Sequence, residues 1–239
     1  MFVLILIIIC IYLIYKLSKK YKIKLGTFFK KGIKVNRGRF GNYCYCAKQG
    51  LGKTANAIEF IYNNRNTGYS IYTNMTSITC FDYTYFNGLE GFLELQRQNI
   101  KHAIILYDEI FTLLTRDTKL TRDVLAFLSQ MRKRDIIFIT TAQEWLEIPI
   151  TLRRYCRFQI NCNVRNFLFS SISLKSIVDA ENMIYNKEIS EYECPLVCMT
   201  ISKMNKFILN SYDTFETIDP HNIIYPIPIK IYREQFTQN

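Results

Sequence analysis

The stretch AKQGLGKT, residues 47–54, decides the fold of this chain. It follows an apolar-alternating run, residues 43–47, and precedes a helix-like run, residues 54–64. A glycine-rich turn between a strand and a helix lets backbone N–H groups converge on phosphate oxygens, and the helix N-terminus adds positive partial charge. Lys53 then reaches the outer phosphates, and the Thr54 hydroxyl is placed to ligate Mg²⁺. The stretch therefore predicts a phosphate-binding loop for ATP, formed by Gly50, Leu51, Gly52, Lys53, Thr54 and Ala55.

A second motif, HAIILYDE at residues 102–109, is typical of a buried strand that ends in two acids. Continuous apolar residues indicate a parallel strand that is covered on both faces. An acid at the carboxyl end of such a strand lies beside the phosphate loop in a doubly wound sheet, so Asp108 is placed to hold the Mg²⁺ shell. The adjacent Glu109 is placed to orient or deprotonate a water. Alone, the motif could equally be an ordinary strand before two solvated acids, but together the two motifs predict nucleotide hydrolysis.

The composition describes a globular chain of ordinary domain size. Of the 239 residues, 49% are hydrophobic and 21% are charged, which excludes an intrinsically disordered protein. This length gives room for one domain with a roughly five- or six-stranded α/β core and short extensions. Eight cysteines occur without a C-x-x-C pair, and we interpret them as reduced thiols of a cytoplasmic domain.

The net charge of +11 is concentrated in one segment. Ten of the 31 Lys and Arg residues lie between positions 16 and 39, and no Asp or Glu precedes Glu59. The rest of the chain carries 21 basic residues against 20 acidic ones, so it is nearly neutral. A nearly neutral domain does not bind nucleic acid through a broad basic face. The distribution instead favours contact of the basic segment with an anionic membrane surface.

The N-terminal run FVLILIIICIYLIY, residues 2–15, is apolar without interruption. As a helix it spans about 21 Å, short of the ~30 Å hydrocarbon core, but Lys16 and Lys19 can extend their side chains to the headgroups. Positive charge after the run keeps that side in the cytoplasm. The run therefore predicts a single-pass transmembrane helix with the nucleotide-binding domain in the cytoplasm. A buried strand or helix of a soluble protein is the alternative.

The remaining pattern predicts alternating strands and helices. We expect helices at 88–98 and 120–134, the second capped by Thr121, and an irregular stretch at 76–88. Strands are expected at 69–75, 103–108, 136–143, 156–164, 167–178 and 196–203. The predicted domains are a transmembrane helix at 1–18, a basic juxtamembrane linker at 19–41, a P-loop ATPase domain at 42–217 and an extended tail at 218–239.

The order of these motifs resembles the FtsK–HerA group of P-loop ATPases. The motifs that carry the resemblance are AKQGLGKT, IILYDE, RKRDIIFITTAQ, PITLRRYCR and a late SYDTFE. Within the group, the chain is similar to Zot-like assembly ATPases of filamentous phages and to genome-packaging ATPases of membrane-containing phages. The likeness covers roughly residues 42–217. Two departures are Ala47 in place of the first loop glycine and an apolar helix before, rather than after, the ATPase domain.

The resemblance implies a RecA/FtsK–HerA-like central sheet flanked by helices and a role for individual residues. Lys53 and Thr54 bind phosphate and Mg²⁺, Asp108 is the acid of the Mg²⁺ shell, and Glu109 activates water. Gln143 is implied to sense the γ-phosphate. A ring motor also needs an arginine from the neighbouring subunit. The candidates are Arg132, Arg134, Arg153 and Arg154, for which helix-end charge or a solvated turn is the alternative interpretation.

The implied activity is that of a membrane-anchored, ATP-hydrolysing motor, commonly a homo-hexamer, that packages or extrudes viral DNA with capsid or assembly proteins as partners. A plasmid or conjugation-type DNA translocase with the same motifs is the first alternative, and a toxin-like binding protein is the second. The DNA contacts are expected to be local. The loop after Asn74 and the turn at 116–119 are favoured because neither shows strong core patterning.

Overall fold

The computed structural model describes residues 2–24, 40–114, 119–166, 170–187, 191–219 and 221–231. Its helices are α1 (Phe2–Lys20), α2 (Lys53–Asn64), α3 (Gly88–Arg97), α4 (Ile110–Leu113), α5 (Arg122–Arg134), α6 (Ile150–Arg154) and α7 (Lys206–Leu209), with a 3₁₀ turn at Trp145–Glu147. Its strands are β1 (Ile23–Lys24), β2 (Gly41–Cys46), β3 (Ser70–Thr73), β4 (Tyr83–Asn87), β5 (Ala103–Tyr107), β6 (Ile136–Ala142), β7 (Cys156–Asn166), β8 (Ser171–Asp179), β9 (Ile184–Asn186), β10 (Glu191–Glu193), β11 (Leu196–Lys203) and β12 (Ile224–Ile229).

Ten strands form one sheet, in the order β1-β11-β8-β7-β2-β6-β5-β3-β4-β12, while β9 and β10 form a separate pair. The six central strands, from β7 to β4, all run parallel to one another. This parallel-dominated sheet confirms the predicted α/β class. β6 lies between β2 and β5, so the carboxyl ends of these three strands meet at one edge of the sheet.

Packing on both faces explains why the central strands are continuously apolar. Every residue of β5 and β6 is buried. On one face, α3 and α5 meet β6 through Phe92, Phe127 and Phe138, with Phe92 and Phe127 in edge contact at 4.8 Å between ring centroids. On the other face, α2 packs through Ile58 and Ile61. Burial of each such side chain contributes about 1.5–3 kcal/mol, so the two layers fix the sheet that carries the site.

The predicted helix at 120–134 is confirmed as α5, and its ends follow the expected local rules. The Thr121 hydroxyl accepts a hydrogen bond from the Val124 N–H at 3.4 Å, which caps the first turn. Asp135 ends the helix in the left-handed region, at φ 52°. The predicted helix at 88–98 is likewise confirmed, as α3.

The expectation of five or six strands is wrong, because ten strands join the sheet. β8 and β11 extend it in antiparallel fashion beyond β7, and β12 pairs with β4 at the opposite edge. β4 falls within the stretch that was expected to be irregular. The turn-forming residues Asp82, Asn87 and Gly88 bound this strand rather than interrupt it, and its Tyr83 and Phe86 are buried.

The N-terminal apolar run is a helix, α1, as the sequence predicts. Among the residues that the structure describes, however, no helix combines the length and the apolarity needed to cross a membrane. The predicted transmembrane span at 1–18 is therefore not supported. Its apolar run of about 21 Å is shorter than the ~30 Å hydrocarbon core, and lysines occupy the last turn of the helix. Most of the predicted basic linker, residues 25–39, lies outside the described ranges.

Candidate nucleotide site

The phosphate-binding loop follows β2 and leads directly into α2. Gly50 and Gly52 adopt positive φ angles of 73° and 81°, which residues with a Cβ rarely adopt. The N-cap residue of α2 is Gly52, which has no side chain to accept from the first N–H groups of the helix. This geometry suits phosphate oxygens, because the amides converge and the helix dipole favours negative charge.

A neighbouring hairpin fixes the loop from the side. The Val164 N–H in β7 donates to the Leu51 carbonyl at 3.2 Å. The Ser173 hydroxyl in β8 donates to Asn56 Oδ1 at 2.8 Å, and Asn56 Nδ2 donates to the Gly52 carbonyl at 2.7 Å. The β7–β8 hairpin thus braces the turn that would surround the phosphates. The sequence motif did not predict this brace, because the pairing of β7 with β2 is set by tertiary packing.

The acid Asp108 lies immediately after β5 and is 7% exposed. Its Oδ1 accepts hydrogen bonds from the Thr54 hydroxyl at 3.0 Å and from the Thr141 hydroxyl at 2.7 Å. Burial raises the pKa of Asp108 above its usual value of 3.8, while the Thr141 hydrogen bond and the positive charge of Lys53 act in the opposite direction. The structure therefore brings together the two oxygen groups, of Thr54 and Asp108, that the sequence assigns to Mg²⁺.

Lys53 and Glu109 complete the centre of the site. Lys53 is 8% exposed, and its Nζ lies 3.8 Å from Glu109 Oε1. Glu109 has a left-handed backbone, at φ 54°, and its N–H donates to the Thr141 hydroxyl at 2.7 Å. Hard oxygen ligands are those that Mg²⁺ prefers, and the Thr54 hydroxyl with the Asp108 carboxylate is such a donor set, so these residues fit the expected Mg²⁺.

Gln143 follows the last residue of β6 at the same edge of the sheet. The Ala47 N–H at the start of the phosphate loop donates to the Ala142 carbonyl at 3.2 Å, which places the end of β6 beside the loop. Gln143 is half-buried there. Its implied role as a γ-phosphate sensor stays a prediction.

The four candidate finger arginines lie at the opposite edge of the sheet. Arg132 and Arg134 end α5, which leads into the start of β6, and Arg153 and Arg154 end α6, which leads into the start of β7. None of them therefore reaches the phosphate loop of its own chain. Arg153 is 5% exposed, with its guanidinium 6.0 Å from the centre of the Trp145 ring. Arg153 is thus buried within the single chain, whereas Arg132 and Arg154 are exposed, and the choice of finger stays a prediction.

The segment after Asn74 is part of the core instead of a free loop. Its apolar residues Met75, Ile78, Cys80 and Phe81 are buried against the α2 face of the sheet. The Glu216 carboxylate in the SYDTFE motif accepts hydrogen bonds from the backbone and hydroxyl groups of residues 76 and 77. Positions 76, 79 and 82 remain exposed, so a DNA contact in this segment stays a prediction. The described residues contain only position 119 of the other favoured turn, 116–119.

The structure also adds residues that the motifs did not identify. Asn74 hydrogen-bonds the backbone of Asp108, and Thr141 contacts both Asp108 and Glu109. Tyr212, from the SYDTFE motif, lies near Asp108, and burial together with that carboxylate raises the pKa of Tyr212 to about 12. Thr141 stands in the polar tip of β6, which the sequence shows, but Asn74 and Tyr212 become visible only from the packing.

Comparison with known proteins finds relatives by structure alone. No protein-family profile matches the chain, and no curated protein matches it. The structure is similar to the N-terminal domain of zonular occludens toxin from Neisseria meningitidis, at 13% identity and TM-score 0.45, with 73% of this chain and 100% of that one covered. It is also similar to the genome packaging NTPase B204 of Sulfolobus turreted icosahedral virus 2, at 11% identity and TM-score 0.47, with 67% and 97% covered.

A third similar structure is the flagellar accessory protein FlaH from Methanocaldococcus jannaschii, at 14% identity and TM-score 0.40, with 65% of this chain and 88% of that one covered. The matched structures therefore include a zonular occludens toxin domain and a genome packaging NTPase, the two kinds of protein that the sequence resembles. Likenesses at these TM-scores carry no argument about activity, so the function is argued from the geometry of the phosphate loop and the two acids.

Proposed function

We propose that this chain hydrolyses ATP with Mg²⁺ at the site formed by the phosphate loop and the end of β5. The observation that carries the proposal is the convergence of Lys53, Thr54, Asp108 and Glu109, which come from two separate motifs. Each group has a role in phosphoryl transfer to water. The Lys53 cation binds the outer phosphates, the oxygens of Thr54 and Asp108 bind a divalent ion, and the Glu109 carboxylate orients the attacking water.

The contacts suggest what each side chain does when ATP binds. Backbone N–H groups of the loop hold the phosphates, and Lys53 moves from the Glu109 carboxylate to the outer phosphate oxygens. Glu109 is thereby released to orient the attacking water and to accept its proton. Thr54 and Asp108 would hold Mg²⁺, which neutralises charge on the phosphates. Thr141 keeps the Asp108 carboxylate and the Glu109 backbone in place.

The test is ATP turnover by the purified full chain and by matched variants. Lys53→Ala is expected to abolish turnover, and Glu109→Gln is expected to bind ATP but turn it over at least about 100-fold more slowly. Lys101→Ala and Glu181→Gln change exposed residues away from the site and serve as controls. Equal turnover by Lys53→Ala and Lys101→Ala would contradict the proposed site.

The proposed active form is a homo-hexameric ring in which a neighbour supplies an arginine. The supporting observation is that the exposed candidates Arg132 and Arg154 lie at the sheet edge opposite their own phosphate loop. Subunit mixing tests this arrangement. Lys53→Ala and Arg154→Ala are each expected to be inactive, whereas their mixture regains turnover because one variant supplies the arginine and the other the loop. Failure of every such mixture, with Arg132→Ala and Arg134→Ala also tried, would contradict a shared site.

The proposed substrate of the motor is viral DNA during packaging or extrusion, with capsid or assembly proteins as partners, and this step rests on the sequence resemblance. A plasmid or conjugation-type translocase is the alternative with the same engine. Turnover is expected to rise more steeply than linearly with protein concentration and to increase with added single- or double-stranded DNA. Strict proportionality without a response to either DNA would favour a monomeric ATPase that acts on protein partners.

We also propose that α1 holds the chain at a membrane, with the nucleotide site in the cytoplasm. The apolar side chains along α1 are exposed, including Val3 at 68% and Ile11 at 61%, and lysines follow them. Exposed apolar area and adjacent basic residues together favour an anionic lipid surface. The full chain is expected to float with vesicles that contain anionic lipid, and a variant without residues 1–20 is expected to float to a smaller extent, since it keeps the basic residues between 21 and 39. Flotation of both to the same extent would contradict the proposal.

A further inference from the structure

The side chain of Asn74 continues the sheet at the point where the backbone ladder between β3 and β5 stops. The last pair of that ladder is Thr73 with Leu106, one position before Asn74. Beyond it, Asn74 Nδ2 donates to the Asp108 carbonyl at 3.0 Å, and Asn74 Oδ1 accepts from the Asp108 N–H at 2.7 Å. One side-chain amide therefore holds both backbone polar groups of Asp108.

This contact is buried and its chemistry is specific. Asn74 is 1% exposed. A carboxylate at this position could only accept, and a hydroxyl is too short to reach both backbone groups of Asp108. An amide is therefore the side chain that can hold both backbone groups of Asp108 from this position.

The next residue, Glu109, explains why such a support is needed. Its backbone angles, φ 54° and ψ 56°, lie in the left-handed region, which costs a residue with a Cβ about 1–2 kcal/mol. A conformation of this kind persists only when the surroundings fix it. Asn74 fixes Asp108 from the β3 side, and the Thr141 hydroxyl fixes the Glu109 N–H from the β6 side. Between them they determine where the Glu109 carboxylate points.

We propose that Asn74 is a positioning residue for ATP hydrolysis, acting through the Asp108–Glu109 backbone and touching neither nucleotide nor water. The inference rests on the proposed ATPase activity. Loss of the amide lets the turn at Glu109 relax, which moves the carboxylate away from its place beside Lys53. The loop that holds the phosphates is not touched by Asn74, so ATP affinity is preserved while turnover falls.

The matched test compares Asn74→Ala with Asn87→Ala. Asn87 is also buried, ends the adjacent strand β4, and uses its Nδ2 to hold two backbone carbonyls, those of Asp219 and Asn222. Both variants lose a buried side-chain amide that holds backbone groups, but only the Asn74 amide holds the backbone of Asp108, next to Glu109. Asn74→Ala is expected to lower kcat about 10- to 100-fold with the Kd for ATP changed less than about threefold. Asn87→Ala is expected to keep kcat within about threefold.

A double variant separates positioning from general destabilisation. In a Glu109→Gln background the carboxylate is already gone, so adding Asn74→Ala is expected to lower kcat no further. An equal further loss in that background, or an equal loss in Asn87→Ala, would overturn the inference. If the unsubstituted chain shows no turnover at all, the proposed ATPase activity fails instead. Asn74→Asp keeps the acceptor and removes the donor, and it provides the same comparison where the alanine variant does not fold.

Discussion

Replacement of Thr141 by valine is the perturbation that tests the geometry of the acids most directly. Thr141 is fully buried, and its single hydroxyl makes two contacts. It donates to Asp108 Oδ1 at 2.7 Å and accepts from the Glu109 N–H at 2.7 Å. Valine keeps the shape of the side chain and removes both hydrogen bonds, so the measured effect comes from the hydroxyl rather than from a cavity.

The expected loss follows from the two partners. A hydrogen bond to a charged carboxylate contributes about 1.5–3 kcal/mol, and a backbone N–H left without an acceptor in a buried place costs about 1–3 kcal/mol. The two terms share one group and overlap, so we expect the free energy of unfolding to fall by about 2–4 kcal/mol. For a chain of this size the melting temperature falls by about 5–15 °C.

The loss should also depend on pH. Burial raises the pKa of Asp108, and the Thr141 hydrogen bond is the largest of the effects that oppose this rise. A raised pKa of an acid favours folding while the folded form keeps the proton, and that contribution is lost as pH rises through the folded pKa. Thr141→Val raises the pKa of Asp108 further. The difference in unfolding free energy between the unsubstituted chain and Thr141→Val is therefore smallest at low pH. It grows as pH rises from the unfolded pKa of Asp108 through its folded pKa.

Urea unfolding across a pH series, without nucleotide or Mg²⁺, measures this difference. Thr140→Val is the matched control, because Thr140 is equally buried, precedes Thr141, and donates at 3.1 Å to the neutral Asn42 Oδ1. Its cost should not change over the same pH range. If both variants lose the same free energy at every pH, the Thr141 hydroxyl does not support a charged Asp108, and the reasoning is refuted.

Three further substitutions test separate parts of the site. Gly52→Ala is expected to abolish turnover and to lower the melting temperature more than Gly50→Ala. The reason is that a Cβ at Gly52 would lie 2.4 Å from Val164 Cγ2, whereas a Cβ at Gly50 meets nothing within 4 Å. Equal effects of the two variants would contradict the close packing of β7 against the loop. Asp108→Asn is expected to abolish Mg²⁺-dependent turnover. Without Mg²⁺ it is expected to raise the melting temperature by about 2–4 °C, since a neutral amide avoids burial of charge. A lower melting temperature would contradict the view that burial of the Asp108 charge weakens the fold. Glu216→Ala is expected to lower the melting temperature by about 2–10 °C and to keep turnover within about threefold. The reason is that the Glu216 carboxylate accepts four hydrogen bonds outside the site. Loss of turnover at unchanged stability would place Glu216 in the site.

The features that were predicted from the sequence depend on local pattern. The α5 helix shows its apolar face, its Thr121 cap and its basic last turn within a single run of residues. The continuous apolar residues of β5 predict that the strand is buried. Parallel topology then places the acids that follow it, Asp108 and Glu109, beside the phosphate loop. The prediction that Asp108 lies near Thr54 needed only these two facts, and the structure has the contact at 3.0 Å.

The features that the sequence did not predict depend on which segments become neighbours. β8 and β11 are individually recognisable as strands, but no local pattern indicates that they extend the same sheet. Asn74 falls within the predicted strand at 69–75, and only the register of β3 against β5 puts its amide beside Asp108. The apolar run at the N-terminus predicts the helix α1, but the described residues contain no helix that is long and apolar enough to cross a membrane.

The position of the supports suggests how stability and activity are balanced in this site. Burial of Asp108 disfavours its charge, and the left-handed backbone of Glu109 costs conformational energy, so two successive residues each weaken the fold. Neither cost is needed for packing, since a neutral residue at 108 and a glycine at 109 would avoid both. Asn74 and Thr141, from the strands on either side of β5, offset these costs through uncharged side chains. If the site binds ATP as proposed, its acids are in place before the nucleotide, and binding energy is not spent on ordering them.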